Sequence, residues 1–248
     1  MEIPKMFMGR QRMPGAIERA LKGVPDVAQP VNPISAPITN APPQSGYVFV
    51  PSIGLYVAKQ RTLQGSNWYD CHKGLQANGE RMPTIPEFVE FLKYLRANPN
   101  GVKDTPKQEV ESILDDILAV RDPYRAEWLD ADFKVKGKLM NKKLYINYNH
   151  ELKGGNLEPK NTEPLEQCLM KDRQPGIDLD SWLSNPTKQG LPQKNVKIGS
   201  IWYWYPRSDD NSVARFSANS VRANLDCYRY PSNSSTGLGV RAIRRASP

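Results

Sequence analysis

Two histidines, three cysteines and one short run of acids are the residues in this chain whose types could support metal, nucleophilic or acid–base chemistry. A metal site read from sequence needs donors at a spacing that one turn can converge, such as H-x-x-x-H. His72 and His150 have no such neighbours, so the spacing assigns them structural or surface places and predicts neither a metal nor a cofactor. Cys71, Cys168 and Cys227 are odd in number and share no close spacing. They read as buried, neutral thiols rather than a disulfide framework or a zinc site. Glu127, Asp130 and Asp132 in RAEWLDAD could form a general acid–base pair, but beside Trp128 and Phe133 in a strand they read as a hydrogen-bonded, exposed face. No G-x-S-x-G, P-loop or G-x-G-x-x-G occurs. These residues do not argue for an enzyme.

Recognition chemistry is concentrated near the C-terminal end. In VARFSAN, Ala214, Phe216 and Ala218 take one parity while Arg215, Ser217 and Asn219 take the other. RANLDCY repeats the pattern, with Ala223, Leu225 and Cys227 alternating with Arg222, Asn224, Asp226 and Tyr228. Alternation in a strand sends one set inward as framework and the other outward as a surface. YRYP then groups Tyr228, Arg229 and Tyr230. Tyr and Arg dominate binding hot spots, and Ser, Asn and Tyr dominate antibody-like paratopes. The expected contacts are Arg215, Ser217, Val221, Arg222, Asn224, Asp226, Tyr228, Arg229, Tyr230 and Ser232. Phe216, Ala218, Ala223, Leu225, Pro231 and Gly239 are the expected fixed framework.

The elements that must position this surface follow from local pattern. Residues 1–45 read as an arm: one short helix, GAIERALKG, then a proline-rich linker from Val24 to Gly46. The globular domain is expected over 46–248, with 208–248 as its variable region. YVFVPSIGLYVAKQR predicts a hairpin or two short strands. Ser66 as N-cap and Gly79 as stop predict a helix over Asn67 to Asn78. Thr84 and Glu87 form a capping box with Pro86 in the first turn, ahead of a stripe of Phe88, Phe91, Leu92 and Leu95. The same device is expected at Thr105 and Gln108, ahead of Val110, Ile113, Leu114, Ile117 and Leu118. PYRAEWLDADFKVKGKLMNKKLYINYNH predicts strands joined by a Gly-Lys turn. Glu151 to Asn195 reads as long surface loops with a weak helix near EPLEQCLM. KIGSIWYWYP predicts a central strand covered on both faces, and GLGVRAIRR a last strand. The fold class is α+β, with early helices, short antiparallel strands and long loops.

Net charge is +8 with a pI near 9.3, which permits acidic partners without requiring them. No apolar run approaches the roughly 20 residues of a membrane span. The N-terminus lacks a signal-peptide core, so the expected location is intracellular or virion-associated. The tail departs in composition. From Ser208 to Pro248 it uses no Lys, Glu, Gln, Met or Trp, although roughly one earlier residue in four is of those types. From Arg207 onward every basic residue is Arg. If outward positions descend from AAC codons whose adenines are replaced while the final C is kept, those five residue types cannot appear. Ser, Arg, Asn, Asp, Tyr and Val can.

The ending ANLDCYRYPSNSSTGLGVRAIRR resembles the variable region of diversity-generating retroelement target proteins. NWYDCHKGLQANGERMPTIPEFVEFLKYL resembles the segment that precedes it in that family and in the related formylglycine-generating-enzyme-like group, with Met82 in place of the usual Leu of G-x-R-L-P-T-x-x-E. The resemblance covers residues 46–248. It implies a C-type-lectin-like fold that displays the variable residues on a ligand-binding face, diversified by a reverse transcriptase from a template repeat. The expected partner is a protein or acidic glycan. The calcium-lectin signatures E-P-N, Q-P-D and W-N-D are absent, as are the paired active-site cysteines of the formylglycine-generating enzymes. Two competing readings are an enzyme of that type, for which Cys227 would be the nucleophile, and an Arg-rich nucleic-acid-binding module. Nucleic acid ranks last because the tail sequence shows no aromatic-and-basic groove.

Overall fold

The computed structural model describes residues 46–137, 142–207 and 211–245. The expected arm with its helix GAIERALKG, Lys138 of the expected turn, and Ser208 to Asp210 lie outside them. Strands outnumber helices among the described residues. In chain order these are β1 (Tyr47–Val50), β2 (Leu55–Thr62), α1 (Trp68–Ala77), α2 (Ile85–Ala97), β3 (Gly101–Val102), β4 (Thr105–Pro106) and α3 (Lys107–Leu118). Then come β5 (Arg125–Lys136), β6 (Lys143–Lys153), β7 (Asn156–Pro164), β8 (Arg173–Ile177), α4 (Leu179–Ser184), β9 (Ile201–Trp204), β10 (Ser212–Ala218), β11 (Ala223–Arg229) and β12 (Leu238–Arg245).

The main sheet runs β1-β2-β12-β5-β10-β11-β9-β8, with β6 and β7 attached through β5. It is mixed, not purely antiparallel: β12 runs parallel to β5, and β11 parallel to β9. β5 is the organising strand. One edge pairs with β10 throughout. The other is shared, with β12 beside Ala126 to Trp128 and β6 beside Asp132 to Lys136.

The α2 expectation holds in detail. Glu87 Oε2 accepts from the Thr84 backbone N–H at 2.8 Å, and Arg81 grips the same carboxylate at 2.8 and 2.5 Å. Phe88, Phe91, Leu92 and Leu95 are all buried. α1 is one residue shorter at each end than expected. Its cap is Asn67, whose side chain accepts from the Asp70 amide at 2.9 Å, while the Ser66 carbonyl is taken by Trp128 Nε1. The second capping box does not form. Thr105 pairs with Val102 as β4, and α3 starts only at Lys107 behind Pro106. Its inner stripe is Val110, Ile113 and Ile117, with Leu114 and Leu118 only partly buried.

Between Glu151 and Asn195 the expectation of loops is overturned. β6 turns at Gly154-Gly155, both at positive φ, and returns as β7. A Gly-Gly pair at positive φ fits the tight primed turns of hairpins. β7 hides its nature because it is an exposed edge strand, NLEPKNTEP, with prolines and charges where apolar alternation would be. EPLEQCLM forms no helix; instead Asp178 caps α4, accepting from the Ser181 amide at 2.8 Å.

Strand parity divides the sheet. One face carries Leu129, Phe133, Phe216 and Leu225 against Phe88, Leu92 and Trp182 from the helices. The other carries Trp128, Val213 and Val240 against Trp68, Cys71 and Leu75 of α1. Glu127 and Asp130 are 0% and 1% exposed, so the acids of RAEWLDAD are not a solvent face. The fully buried Arg241 neutralises Glu127, with Nε to Oε2 at 2.9 Å. The same guanidinium donates to Asp116 of α3 at 3.0 Å and to the carbonyls of Ala58 and Lys59 on β2.

Removing one partner of a buried, hydrogen-bonded pair leaves an uncompensated charge. Arg241→Leu is expected to cost about 3–5 kcal/mol in urea unfolding. Arg121→Ala, which breaks an exposed pair with the same Asp116, is expected to cost less than about 1 kcal/mol.

Candidate ligand-binding site

β10 and β11 form a hairpin whose turn is braced by Asn219. Its side-chain oxygen accepts from the amides of Val221 and Arg222 at 2.9 and 3.0 Å. The register then sets the surface row by row. Ser217 lies opposite Asn224, which lies beside Trp202 on β9; Arg215 lies opposite Asp226, which lies beside Trp204. The alternate residues Ala214, Phe216, Ala218, Ala223, Leu225 and Cys227 point into the core and are buried. Pro231 and Gly239 are buried as well. A side chain at Gly239 would meet the Thr62 carbonyl at 2.8 Å, so this position has no room to vary.

The two rows line a cup of about 300 Å³, walled by Tyr124 from the start of the β5 region. Arg215, Ser217, Arg222, Asn224, Asp226 and Arg229 all line it. Of the other expected contacts, Val221 and Tyr230 are 62% and 56% exposed, Ser232 is exposed, and Tyr228 is half-buried. None of the four is in the cup. Tyr228 instead stacks under Arg207, 4.1 Å from ring centre to guanidinium, and lies 6.4 Å from the Tyr230 ring. The tail thus presents a cup and an adjoining tyrosine edge.

Two corrections concern the outward set. Ser217, Asn224 and Asp226 face outward by parity but are only 4%, 6% and 2% exposed, because neighbouring rows close over them. Asp226 is a structural anchor: it takes Arg229 Nε at 2.5 Å, Arg215 at 3.5 Å and the Tyr228 amide at 3.1 Å. Burial lowers the Arg215 pKa against the pull of Asp226. The second correction is to β9. Tyr203 is buried, but Trp202 and Trp204 are half-exposed, so this strand is covered on one face only. Arg222 lies over the Trp202 ring, an arrangement in which the ring quadrupole attracts the cation.

The sequence reading missed Tyr124, Trp202 and Trp204, which come from outside the tail. They also supply the aromatic-and-basic surface whose absence placed nucleic acid last. Of the tail arginines, Arg215 lies over Tyr124, Arg222 lies over Trp202 and Arg229 shares the cup with them; Arg241 is sealed in the core, and Arg244 lies over Tyr47 and Tyr56. Cys227 is fully buried, and burial pushes its pKa well above the ordinary thiol value, which leaves it un-ionised and out of reach of a substrate. Among the described residues no helix is long and apolar enough to cross a membrane. Compared with known proteins, the chain matches no family model, no curated protein and no solved structure.

The division between face and framework has a measurable consequence. Replacing Val221, Arg222 or Tyr230 by Ser is expected to change unfolding free energy by no more than about 0.5 kcal/mol. Leu225→Ala, in the same hairpin but buried in the core, is expected to cost about 2–5 kcal/mol. Chemical denaturation of the four variants checks both.

Proposed function

We propose that the chain is a ligand-binding protein with a C-type-lectin-like fold. Its C-terminal surface is diversified by a retroelement reverse transcriptase from a template repeat. The observation that carries this reading is the partition within β10 and β11. Arg215, Ser217, Asn224 and Asp226 line a concave face, and the residues that alternate with them, Ala214, Phe216, Ala218, Ala223, Leu225 and Cys227, are packed into the core. A protein whose specificity is rewritten needs that separation, since changes confined to one parity leave the packing intact. The ligand is a protein or an acidic glycan. Arg215, Arg222 and Arg229 provide charge around one anchored carboxylate, Asp226, while Trp202, Trp204 and Tyr124 provide flat apolar surface. Tyr230 and Val221 extend the contact beyond the cup. The protein performs no chemistry on what it binds.

The same arginines and tryptophans favour a second reading. Stacking platforms beside cations also bind single-stranded nucleic acid, and such binding weakens steeply with salt.

Sequencing the DNA that flanks the gene tests the first reading. The expected result is a near-copy of codons 208–248, differing at adenines of the copy, beside a reverse transcriptase gene. Absence of such a repeat leaves a binding domain of fixed specificity. Fluorescence anisotropy with a labelled single-stranded oligonucleotide tests the second. The expected result is no binding at physiological salt; affinity that falls steeply between low and physiological salt and disappears in Arg222→Ser would make nucleic acid the ligand class.

A further inference from the structure

α1, β5 and β6 each bring one side chain to a single buried point behind the sheet. His72 comes from α1, Asp130 from β5 and His150 from β6, and they are 0%, 1% and 4% exposed. One donor atom from each lies within 4.8 Å of the others. Asp130 Oδ1 is 2.5 Å from His150 Nδ1 and 3.7 Å from His72 Nε2. The other carboxylate oxygen, Oδ2, accepts from the His150 amide at 3.0 Å, which fixes the carboxylate so that Oδ1 faces both imidazoles. Trp68 packs edge-on against both rings, at 4.3 and 4.9 Å between centroids, and its own Nε1 is satisfied by the Leu129 carbonyl at 3.0 Å. Gln76 completes the wall by bonding the His150 carbonyl and the Leu152 amide.

One side chain in this arrangement is unsatisfied. Both ring nitrogens of His72 are buried with no hydrogen-bond partner. An orphaned buried polar group costs about 1–3 kcal/mol, so its persistence in a fully packed site calls for a partner. We propose that His72, Asp130 and His150 form a binding site for a divalent d-block cation of the Zn²⁺ type. The donor set has the right chemistry: two imidazoles and a carboxylate suit zinc, whereas calcium and magnesium take oxygen ligands. The spacing fits as well. Metal–ligand bonds of about 2.0–2.2 Å in a tetrahedron separate ligand atoms by about 3.3 Å, and the 2.5 and 3.7 Å separations bracket that value. The third pair of donor atoms lies within 4.8 Å, so the two rings must close on Asp130 Oδ1 to bring all three atoms onto one ion. The ion gives His72 Nε2 its partner and displaces the proton between His150 and Asp130. Of the three residues, His150 also lines a solvent-facing cleft, together with Gln76, Arg81 and Glu87. The ion pins α1 to the β5–β6 pair, which makes it a structural cross-link on the face that also bears the cup.

The test uses tag-free full-length protein, stripped with a chelator and titrated with Co²⁺ and then Zn²⁺. The expected result is a tetrahedral Co²⁺ absorption that saturates at one equivalent, is displaced by Zn²⁺ and raises the melting temperature. His72→Phe and His150→Gln are each expected to weaken Zn²⁺ binding by at least about 10-fold. Cys71→Ala is expected to keep the full band, which separates this site from the neighbouring thiol. No Co²⁺ band and no thermal shift in the wild-type protein would overturn the proposal, as would a band that survives both histidine substitutions. The wild-type titration decides even if a variant fails to fold.

Discussion

The sheet is held in register by a buried charge pair that no local pattern demands. Arg241 and Glu127 lie wholly inside the protein, and the guanidinium reaches three other groups on β2 and α3. Replacing such a pair by apolar residues often leaves stability unchanged, so its presence points to orientation more than to strength. Here it fixes four elements at once. β12 can slide along neither β2 nor β5 without stranding a charge, and α3 is drawn onto the same point through Asp116. The distribution of the other arginines follows. Arg125, 2% exposed, and Arg61 gather around Asp116 and Glu127; of the tail arginines, Arg241 joins this interior cluster and Arg215, Arg222 and Arg229 line the cup.

With the register fixed, strand parity separates the packed core from the cup. The core side of β10 and β11 is filled by Phe216, Leu225 and their neighbours, and the other side is left to polar residues. The separation is incomplete. Asp226 is nearly as buried as the core and is bonded to two arginines and an amide. Its two arginine partners depend on it for neutralisation, whereas Arg222, which has no carboxylate partner among the described residues, lies over Trp202. Positions of equal parity in the same hairpin therefore differ in their freedom to change. The floor of the cup is tied into the fold and its rim is not.

What the sequence made legible was local. The Thr84–Glu87 box, the α2 stripe, the alternation in the tail and the last strand are set by residues within one or two turns of each other, and all appear as expected. Misreadings came where a distant partner outbid a local signal. Thr105 and Gln108 have the letters of a capping box, but Thr105 pairs with Val102 instead. β7 lacks alternation because its edge position never required it, and its one clue was the Gly-Gly turn. Six of the cup's residues were legible because the hairpin carries its own period. Tyr124, Trp202 and Trp204 were not, since only the sheet order brings β9 and the start of the β5 region beside the tail. His72, Asp130 and His150 were beyond any spacing rule, because each stands on a different element.

The position of β12 has a consequence for how the protein is made. It is the last strand of the described chain, yet it sits inside the sheet, between the first hairpin and β5. Until it exists, β1 and β2 have no sheet to join, Glu127 has no counter-charge, and one edge of β5 stands open. A growing chain must therefore hold its first hairpin in waiting while the residues from 63 to 237 follow. Closure of so long a loop makes the fold slow to form and leaves an unpaired strand edge exposed in the interval. The tail that carries the cup is thus also the segment on whose arrival the rest of the sheet waits.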